Sequence, residues 1–282
     1  MIVCVRDEER HLPRQLAALA AQTYAGTWEL VVVDNGSTDR TVAIAEAWRD
    51  RLPAVRVVDA SAVTGLNYAR NRGAEAAVGD LLAFADGDDE AVEGWLDGLV
   101  TAAAGADLVG GPLDGEALNG HHPAGWIPHD PMTELPLGAG FLHYAPGGNC
   151  AVWADVARQV RWNEDYSMGG SDVEFSWRVG LAGWKLGFAP EAVMRRQNPA
   201  DLVELALKYF RYGLAAPRVY RDFRAAGMPP SDEREVASLW RFVVRRAPRA
   251  VTSHEFRGRW VRIAAGRLGR VVGSVRHRAR YL

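Results

Sequence analysis

One stretch, LLAFADGDDE at residues 81–90, constrains the fold of this chain more than any other. Its first five residues form a short apolar run that is typical of a buried strand. Four acids follow within five positions: Asp86, Asp88, Asp89 and Glu90. In open α/β sheets, ligands bind outside the carboxyl ends of the strands. The stretch therefore predicts a cluster of acids at the ligand-binding edge of an α/β sheet.

The clustered carboxylates predict a divalent metal site. Like charges repel, and Mg²⁺ or Mn²⁺ relieves that repulsion by taking one or two carboxylates and completing its shell with substrate phosphates. Asp86 and Asp88 lie two apart, on one side of an extended chain, and Gly87 lets the backbone approach a ligand closely. The alternative interpretation is a solvated acidic turn that caps the following helix.

Strand and helix patterns alternate before this stretch. Apolar runs predict strands over 2–5, 28–33 and 55–58, and helical spacing follows each of them. Residues 40–51 are one such helix, with Ser37 or Thr38 as its cap. The order predicts a doubly wound, mostly parallel α/β sheet with flanking helices. No GxGxxG follows the first strand, so a dinucleotide-binding site is not indicated.

The second half of the sheet is predicted from less regular patterns. Residues 91–103 favour a helix, and a second helix is expected to begin near Asp172. Strands are expected over 107–110, 147–153 and 184–189.

Length and composition bound the class of protein. The chain has 282 residues, of which 48% are hydrophobic, enough for one large α/β domain with an appended piece or two small domains. Two cysteines, Cys4 and Cys150, indicate neither a disulfide framework nor a zinc site, so a cytoplasmic protein is expected. No apolar run approaches the ~20 residues of a membrane span, and no signal peptide is evident. MIVCV resembles the end of a strand, so we expect the natural start to lie further upstream.

Charge divides the chain into an acidic body and a basic tail. Residues 1–200 carry 15 Lys and Arg against 28 Asp and Glu, whereas residues 201–282 carry 18 against 7. The tail is expected to be helical over 201–226, with a linker at Pro229-Pro230 and SDERE, and again from Trp240. Its amphipathic basic pattern predicts peripheral attachment to the anionic inner face of the plasma membrane, or packing on the body or in an oligomer. Nucleic acid is not an expected partner, because no recognised module accompanies the charge.

Four blocks resemble family 2 of the inverting glycosyltransferases, which have the A-type nucleotide-sugar fold. They are VCVRDEERHLPRQLAALAAQ, ELVVVDNGSTDRT, GLNYARNRGAEAAVGDLLAFADGDDE, and GGNCAVW with GGSDVEFSWRVGLAGWKLGFAPEA. The blocks cover roughly residues 1–200 in the family's order. The resemblance implies a transferase that moves a sugar from a nucleoside-diphosphate sugar to an acceptor hydroxyl, with Mn²⁺ or Mg²⁺ as the cofactor.

The resemblance also implies roles for individual residues. Asp86 and Asp88 match the family's Asp-x-Asp, with Asp88 as the direct metal ligand and Asp86 reaching the ribose or the metal. Asp89 is either a further ligand or a helix cap. Asp34 matches a residue that contacts the nucleotide base, and Arg70 one that approaches the nucleotide. Asp172 matches the general base that takes the proton of the acceptor hydroxyl. The structural alternatives are an Asx turn at Asp34, a surface arginine at Arg70 and a helix cap at Asp172.

Two positions depart from the family's pattern. Ser171 replaces the first acid of the usual Glu-Asp pair, which puts any helper role of that acid in doubt and makes Glu174 the reserve base. Glu174 could instead pair with Arg178 at i,i+4. Where many relatives carry a histidine, this chain has Arg195, and Arg195 or Arg196 could bind diphosphate oxygens without ligating metal.

The long irregular stretch at 111–148 is expected to select the acceptor, a glycan or a lipid-linked molecule. Trp126, Asn149 and Glu174 are the predicted acceptor contacts. The stretch also holds four histidines that lack metal-ligand spacing and are expected to be loop polar groups: His121, His122, His129 and His143.

The predicted organisation is a nucleotide-sugar domain over 1–200 and a basic helical extension over 201–282. Within the domain, residues 1–110 bind the donor, and 111–200 form the acceptor and catalytic half. The leading hypothesis is an inverting glycosyltransferase that favours a UDP-sugar. The alternative is a catalytically degenerate protein that binds nucleotide-sugar or glycan. A nucleotidyltransferase ranks last, because RDEERHLPRQ after the first strand holds no glycine.

Overall fold

Strands and helices alternate through the first half of the chain, as the apolar patterns predict. The computed structural model describes residues 1–52, 54–119, 126–127, 131–167 and 169–282. The strands are β1 (Ile2–Val5), β2 (Leu30–Asp34), β3 (Val55–Asp59), β4 (Leu81–Asp86), β5 (Glu90–Ala91), β6 (Leu108–Gly110), β7 (Leu113–Asp114), β8 (Leu137–Gly138), β9 (Leu142–His143), β10 (Asn149–Trp153), β11 (Leu186–Phe188) and β12 (Met194–Arg195). The helices are α1 (Leu12–Ala20), α2 (Thr41–Glu46), α3 (Leu66–Ala76), α4 (Trp95–Ala103), α5 (Ala154–Val160), α6 (Ser171–Leu181), α7 (Leu202–Phe223), α8 (Glu233–Thr252) and α9 (His254–Arg276).

The main sheet has seven strands in the order β11-β6-β10-β4-β1-β2-β3. Neighbouring strands run parallel except β10, which is antiparallel to both β4 and β6. Because β1 lies between β2 and β4, its register sets Val5 opposite Asp34 and Cys4 opposite Asp86. The predicted doubly wound, mostly parallel sheet is confirmed, and the acidic stretch ends at its carboxyl edge.

Apolar layers cover both faces of the sheet. One layer contains the buried side chains of α1 and α4, including Leu16, Leu19 and Trp95. The other contains α3, α5 and α6, with Trp162 stacked on Phe175 at 4.1 Å between ring centroids. Side chains buried on both faces explain why the central strands read as continuous apolar runs.

Local boundaries differ from several sequence predictions. The helix expected over 40–51 ends at Glu46, and neither Ser37 nor Thr38 caps it, because both are bonded to Asp7. Asp39 accepts from the backbone N–H of Thr41 instead. Helix α5 was not predicted, and the SDERE segment expected as a linker already begins α8. Pro53, His121, His122 and His129 lie outside the described residues.

The basic extension is helical and packs against the body. Helices α7 and α9 approach so closely that a Cβ on Gly213 would lie 2.2 Å from the carbonyl oxygen of Gly266. A separate apolar cluster joins the extension to α6, where the Trp177 ring lies 5.1 Å from that of Phe223, with Tyr281 in the same cluster. Among the described residues, no helix has the length and apolarity needed to span a bilayer.

Candidate functional site

Three carboxylates meet at the carboxyl end of β4. Oxygen atoms of Asp86, Asp88 and Asp89 all lie within 4.8 Å of one another. Gly87 lets this turn press against β1, because a Cβ there would stand 2.8 Å from Cγ1 of Val5. The structure therefore brings together the two predicted metal ligands and Asp89, the further candidate.

Buried polar side chains fix the backbone of this acidic turn. The side chain of Gln15 is fully buried; it donates to the carbonyl of Asp86 at 2.9 Å and accepts from the N–H of Ala91 at 2.9 Å. Arg14 donates to the carbonyl of Asp88 at 2.5 Å, and the N–H of Gln197 donates to Oδ1 of Asp89 at 2.9 Å. The expected capping role of Asp89 is not found, since α4 begins at Trp95.

Mutual repulsion and burial shift the protonation of these acids. Burial, with the charges of Asp86 and Glu8, raises the pKa of Asp88 to about 6. Burial, with the charges of Asp88 and Asp86, also raises the pKa of Asp89 well above its usual value. Burial and the charge of Asp86 raise the pKa of Glu8 to about 7. Such crowding is the electrostatic condition that a bound cation relieves.

Arg70 lies beneath this acidic turn, with only 4% of its side chain exposed. Its Nη2 lies 3.5 Å from Oδ1 of Asp86, and its Nη1 lies 3.5 Å from Oγ of Ser171. The guanidinium stacks over the ring of Trp162, 4.4 Å from the centroid. Ser171, which replaces the first acid of the family's Glu-Asp pair, therefore lies next to the buried Arg70. Arg70 is not a surface helix arginine, the alternative considered for it.

Two glycines before β10 make room for this pair. A Cβ on Gly147 would lie 2.9 Å from Nη1 of Arg70, and one on Gly148 would lie 2.2 Å from Oδ2 of Asp86. The sequence pattern predicts a strand over 147–153 that begins at these glycines. Their position immediately before a buried strand was the signal that a backbone passes close to functional side chains.

A cavity of about 730 Å³ opens beside the acidic turn. Its polar end is lined by Arg70, Asp86, Asp89, Ser171, Asp172 and Arg196. Its other wall is largely apolar and aromatic, with Tyr144, Trp177, Val219, Met228 and Tyr281. Residues from the body and from the extension over 201–282 therefore line the same space.

Asp172 lies in the first turn of α6, beside this cavity. Its Oδ1 accepts from the N–H of Val173 at 2.9 Å, and Gly170 precedes the helix in a left-handed conformation with φ 72°. The partial positive charge at a helix amino terminus favours an anionic carboxylate there. Burial and the charge of Asp172 raise the pKa of Tyr144 to about 12, so Tyr144 stays neutral next to the acid.

Helix α7 adds groups that the sequence prediction did not include. Tyr212 lines the cavity, and its hydroxyl accepts from Nη2 of Arg196 at 3.3 Å. Burial and the charge of Arg196 lower the pKa of Lys208 to about 8, while the charges of Asp88 and Asp89 act in the opposite sense. The basic extension therefore supplies one cationic side chain, Lys208, to the electrostatics of the acidic turn.

The two arginines that follow the late strand have different surroundings. Arg195 lies in β12 and pairs with Glu90, with 2.5 Å between Nη1 and Oε1. Arg196 lines the cavity. Of the two arginines predicted as alternatives for diphosphate binding, the structure thus brings Arg196 to the cavity and pairs Arg195 with an acid.

Asp34 accepts from the N–H groups of Gly36 and Ser37, so it forms the turn of the structural alternative while it also ends β2 at the ligand edge.

The three predicted acceptor contacts do not line the described cavity. Glu174 is buried and pairs with Arg178 at 2.6 Å, the i,i+4 arrangement expected as its alternative. Asn149 is fully buried, with its amide bonded to Trp95, Pro112 and Ala192.

Trp126 packs against the α8–α9 turn, where its Nε1 donates to the carbonyl of His254 at 3.2 Å. Its ring also occupies the space that a Cβ on Gly258 would need. The neighbouring Ile127, not Trp126, lines the cavity. Nδ1 of His143 donates to the carbonyl of Leu135 at 2.6 Å, a loop contact as expected.

The acidic turn has the donor chemistry of a magnesium or manganese site. Hard divalent cations prefer carboxylate oxygens and keep positions for phosphate or water. Asp86 is 40% exposed on its side chain, so the cluster opens towards the cavity. Asp86, Asp88 and Asp89 therefore fit a divalent cation that also contacts a ligand there.

Comparison with known sequences gives one family. The model described as "Glycosyl transferase family 2" matches residues 1–129. Glycosyltransferase AglE of Haloferax volcanii is 31% identical over 226 residues, which are 78% of this chain and 73% of that protein. The succinoglycan biosynthesis protein ExoM of Rhizobium meliloti is 31% identical over 228 residues, which are 77% of this chain and 72% of that protein.

Solved structures share the fold at low sequence identity. The mannosyltransferase PcManGT of Pyrobaculum calidifontis, in complex with GDP-Man and Mn²⁺, has a TM-score of 0.67 and 15% identity, covering 96% of this chain and 85% of that one. Residues 1–349 of S. aureus TarS, in complex with UDP-GlcNAc, have a TM-score of 0.58 and 18% identity, covering 99% of this chain and 91% of that one. These likenesses show a glycosyltransferase fold over nearly the whole chain.

Proposed function

The chain belongs to glycosyltransferase family 2 and is a glycosyltransferase, and from that premise we propose that it transfers a sugar from a nucleoside-diphosphate sugar to an acceptor hydroxyl with inversion at the anomeric carbon. One observation carries the proposal: the acidic turn and Asp172 line one cavity. The turn is suited to the diphosphate end of a donor, and Asp172 is suited to the acceptor end.

The donor end is formed by cations and acids together. Asp86 and Asp88 would hold Mn²⁺ or Mg²⁺, with Asp89 as a third oxygen ligand, and the bound ion would neutralise charge on the leaving diphosphate. Arg196 faces the cavity and can donate to phosphate oxygens. Arg70 positions Asp86 from below, and Asp34 ends β2 near the expected place of the base.

The chemical step needs a base on the acceptor side. Asp172 takes the proton of the acceptor hydroxyl as its oxygen bonds to the anomeric carbon. The bond from that carbon to the diphosphate oxygen breaks, and its electron pair leaves with the diphosphate. Attack from the face opposite the leaving group inverts the anomeric configuration. Ser171 cannot assist as an acid or base, so one carboxylate carries the proton transfer.

A UDP-sugar is the first donor to test, because TarS and GalNAc-T7 structures hold UDP or a UDP-sugar. GDP-mannose is the second, from the PcManGT complex. The cavity wall opposite the acids is apolar and aromatic, which suits an acceptor with an apolar portion such as a lipid-linked sugar.

The test is nucleotide binding followed by donor turnover. UDP, GDP, dTDP and CDP are titrated with and without Mn²⁺ while thermal stability is measured for wild type, Asp88→Asn and the exposed control Asp50→Asn. We expect one nucleotide to stabilise wild type and the control only with metal, and Asp88→Asn to lose the effect. No metal-dependent stabilisation by any nucleotide would refute the proposal.

Donor hydrolysis by water then separates the transferase from a degenerate binding protein of the same fold. Slow, metal-dependent release of the sugar, lost in Asp172→Asn, is expected of the enzyme. Binding without hydrolysis or transfer would support the degenerate alternative, which Ser171 and the absence of the family histidine would then explain.

A further inference from the structure

Helix α8 carries the densest positive charge of the chain on its solvent side. Residues 236–282 contain twelve arginines, no lysine and a single acid, Glu255. In α8, Arg241, Arg245 and Arg249 lie four residues apart on one side, and Arg246 is exposed beside them. We call these four residues the arginine face.

The arginine face is not neutralised by the rest of the protein. Within the described part of the chain, Arg241, Arg245 and Arg246 form no ion pair with an acid. Another side of α8 packs on α9, where Trp260 donates from its indole N–H to the carbonyl of Val243 at 2.8 Å. The arginine face therefore points outward.

Exposed apolar side chains border this charge. Val244 is 71% exposed and Val251 is 75% exposed, both on α8 next to the arginines. Arginine binds phosphate oxygens bidentately, and short apolar side chains between arginines can enter the headgroup layer of a bilayer. An acidic protein partner would match the charge but not these isolated valines.

Helix α9 and the tail after it connect the arginine face to the cavity wall. Trp126 packs on the α8–α9 turn at His254 and Gly258, while its neighbour Ile127 lines the cavity. Arg270 of α9 and Tyr281 of the following tail line the same cavity. The segment that carries the charge is therefore continuous with the apolar wall of the site.

We propose that the arginine face docks on anionic phospholipid headgroups and holds the cavity mouth at a membrane surface. The docking itself is independent of the transferase activity. Its consequence, that the acceptor is anchored in the same membrane, rests on the proposed function.

Vesicle flotation of the full chain tests the docking. Vesicles of phosphatidylcholine alone are compared with vesicles that also contain phosphatidylglycerol, at about 0.1 M salt and again at about 1 M salt. We expect flotation only with the anionic lipid, and its loss at high salt. Equal flotation with both lipids, or none with either, would overturn the proposal.

A matched pair of variants locates the surface. The variant Arg241→Gln, Arg245→Gln, Arg246→Gln removes three exposed charges of the face, and Arg40→Gln, Arg51→Gln, Arg72→Gln removes three exposed charges of the body. The first should lower vesicle affinity at least about tenfold, because each basic group contributes to surface attraction. The second should bind as wild type does. Equal loss in both variants would show non-specific charge attraction, and tighter binding to a single-stranded RNA oligonucleotide than to anionic vesicles would assign the face to nucleic acid; either result overturns the proposal.

Vesicles without donor or acceptor keep this test separate from catalysis. If flotation fails while metal-dependent nucleotide binding persists, the docking is wrong and the transferase stands. If flotation succeeds and nucleotide binding fails, the transferase proposal is wrong and the docking stands.

Discussion

Gly148 lies directly against the carboxylate of Asp86, so closely that a Cβ on Gly148 would stand 2.2 Å from Oδ2 of Asp86. We therefore expect Gly148→Ala to displace that carboxylate and to lower donor turnover by up to about 100-fold, because a displacement of about 1 Å at a reacting centre can cost that much. Turnover and metal-dependent nucleotide affinity are the measurements.

The control for this change is Gly105→Ala, where the nearest atom to the new Cβ is 3.9 Å away. It should retain wild-type turnover. If Gly148→Ala is as active as this control, the position of Asp86 does not matter to the reaction.

Asp172 and Glu174 should differ in the kind of defect they give. Asp172→Asn removes the proposed base, so turnover should fall by about 10²- to 10⁴-fold while nucleotide affinity is kept. Glu174→Gln weakens a buried pair with Arg178 and should lower the melting temperature with turnover per folded molecule nearly unchanged. Turnover by Asp172→Asn at the wild-type rate would transfer the role of base to another group.

Arg196 and Arg195 offer a second contrast. Arg196 faces the cavity, so Arg196→Gln should weaken the binding of the nucleoside diphosphate at least about tenfold through loss of charge-assisted hydrogen bonds. Arg195 is paired with Glu90, and Arg195→Gln should change the affinity far less. Calorimetric titration with the preferred nucleotide measures both. The opposite ranking would show that Arg195 leaves Glu90 when the donor binds.

The apo protein should become more stable as the pH falls towards 6. The folded-state pKa of Glu8 is about 7, above the usual value of about 4.3 for glutamate, so between these values the folded state binds more protons than the unfolded state. Stability therefore falls as the pH rises through this window, when Glu8 becomes charged beside Asp86.

Glu8→Gln should raise the melting temperature of the apo protein at pH 8, and the difference from wild type should shrink as the pH falls and vanish below about pH 4, where Glu8 is neutral in both the folded and the unfolded state. The exposed control Glu93→Gln should follow wild type at both values. A destabilised Glu8→Gln at pH 8 would contradict the predicted repulsion. The comparison is made by thermal denaturation without metal.

Phe223 tests how firmly the extension is joined to the body. It is 5% exposed, and its ring lies 5.1 Å from that of Trp177. Phe223→Ala should destabilise the protein by about 3 to 5 kcal/mol through a cavity in this cluster. Leu207→Ala, at a residue 49% exposed on the same helix, should cost little. We expect Phe223→Ala to unfold in one transition, at a lower denaturant concentration than wild type, because body and extension share this cluster.

Much of the sheet was predictable because its strands are short apolar runs with acids or glycines at their ends. The same pattern located Asp86 and Asp88, since adjacent parallel strands deliver their terminal residues to one edge. Contacts between distant segments were not predictable. The buried position of Arg70 depends on Trp162 and on the glycines before β10, and neither is near it in sequence.

The predicted acceptor residues show a second limit. Asn149, Glu174 and Trp126 have residue types that suit sugar binding, yet each serves internal packing. Polarity and position along the chain do not reveal which way a side chain faces when it follows an irregular stretch. Lys208 and Tyr212 were not predicted, because they lie on an amphipathic helix far along the chain from the motifs. Nothing in that helix pattern indicates that the helix packs beside the site.

The reversed direction of β10 has a consequence for how this protein could be re-engineered. Because β10 is antiparallel to β4, the segment that enters it arrives at the edge where the parallel strands end. The segment over 111–148 thus leaves the sheet after β6 and re-enters it at β10 on that same edge, bounded by Gly111 at one end and Gly148 at the other. Both ends of the segment are therefore anchored at one edge of the sheet. Exchanging the segment between relatives should change the acceptor preference while leaving the acidic turn intact.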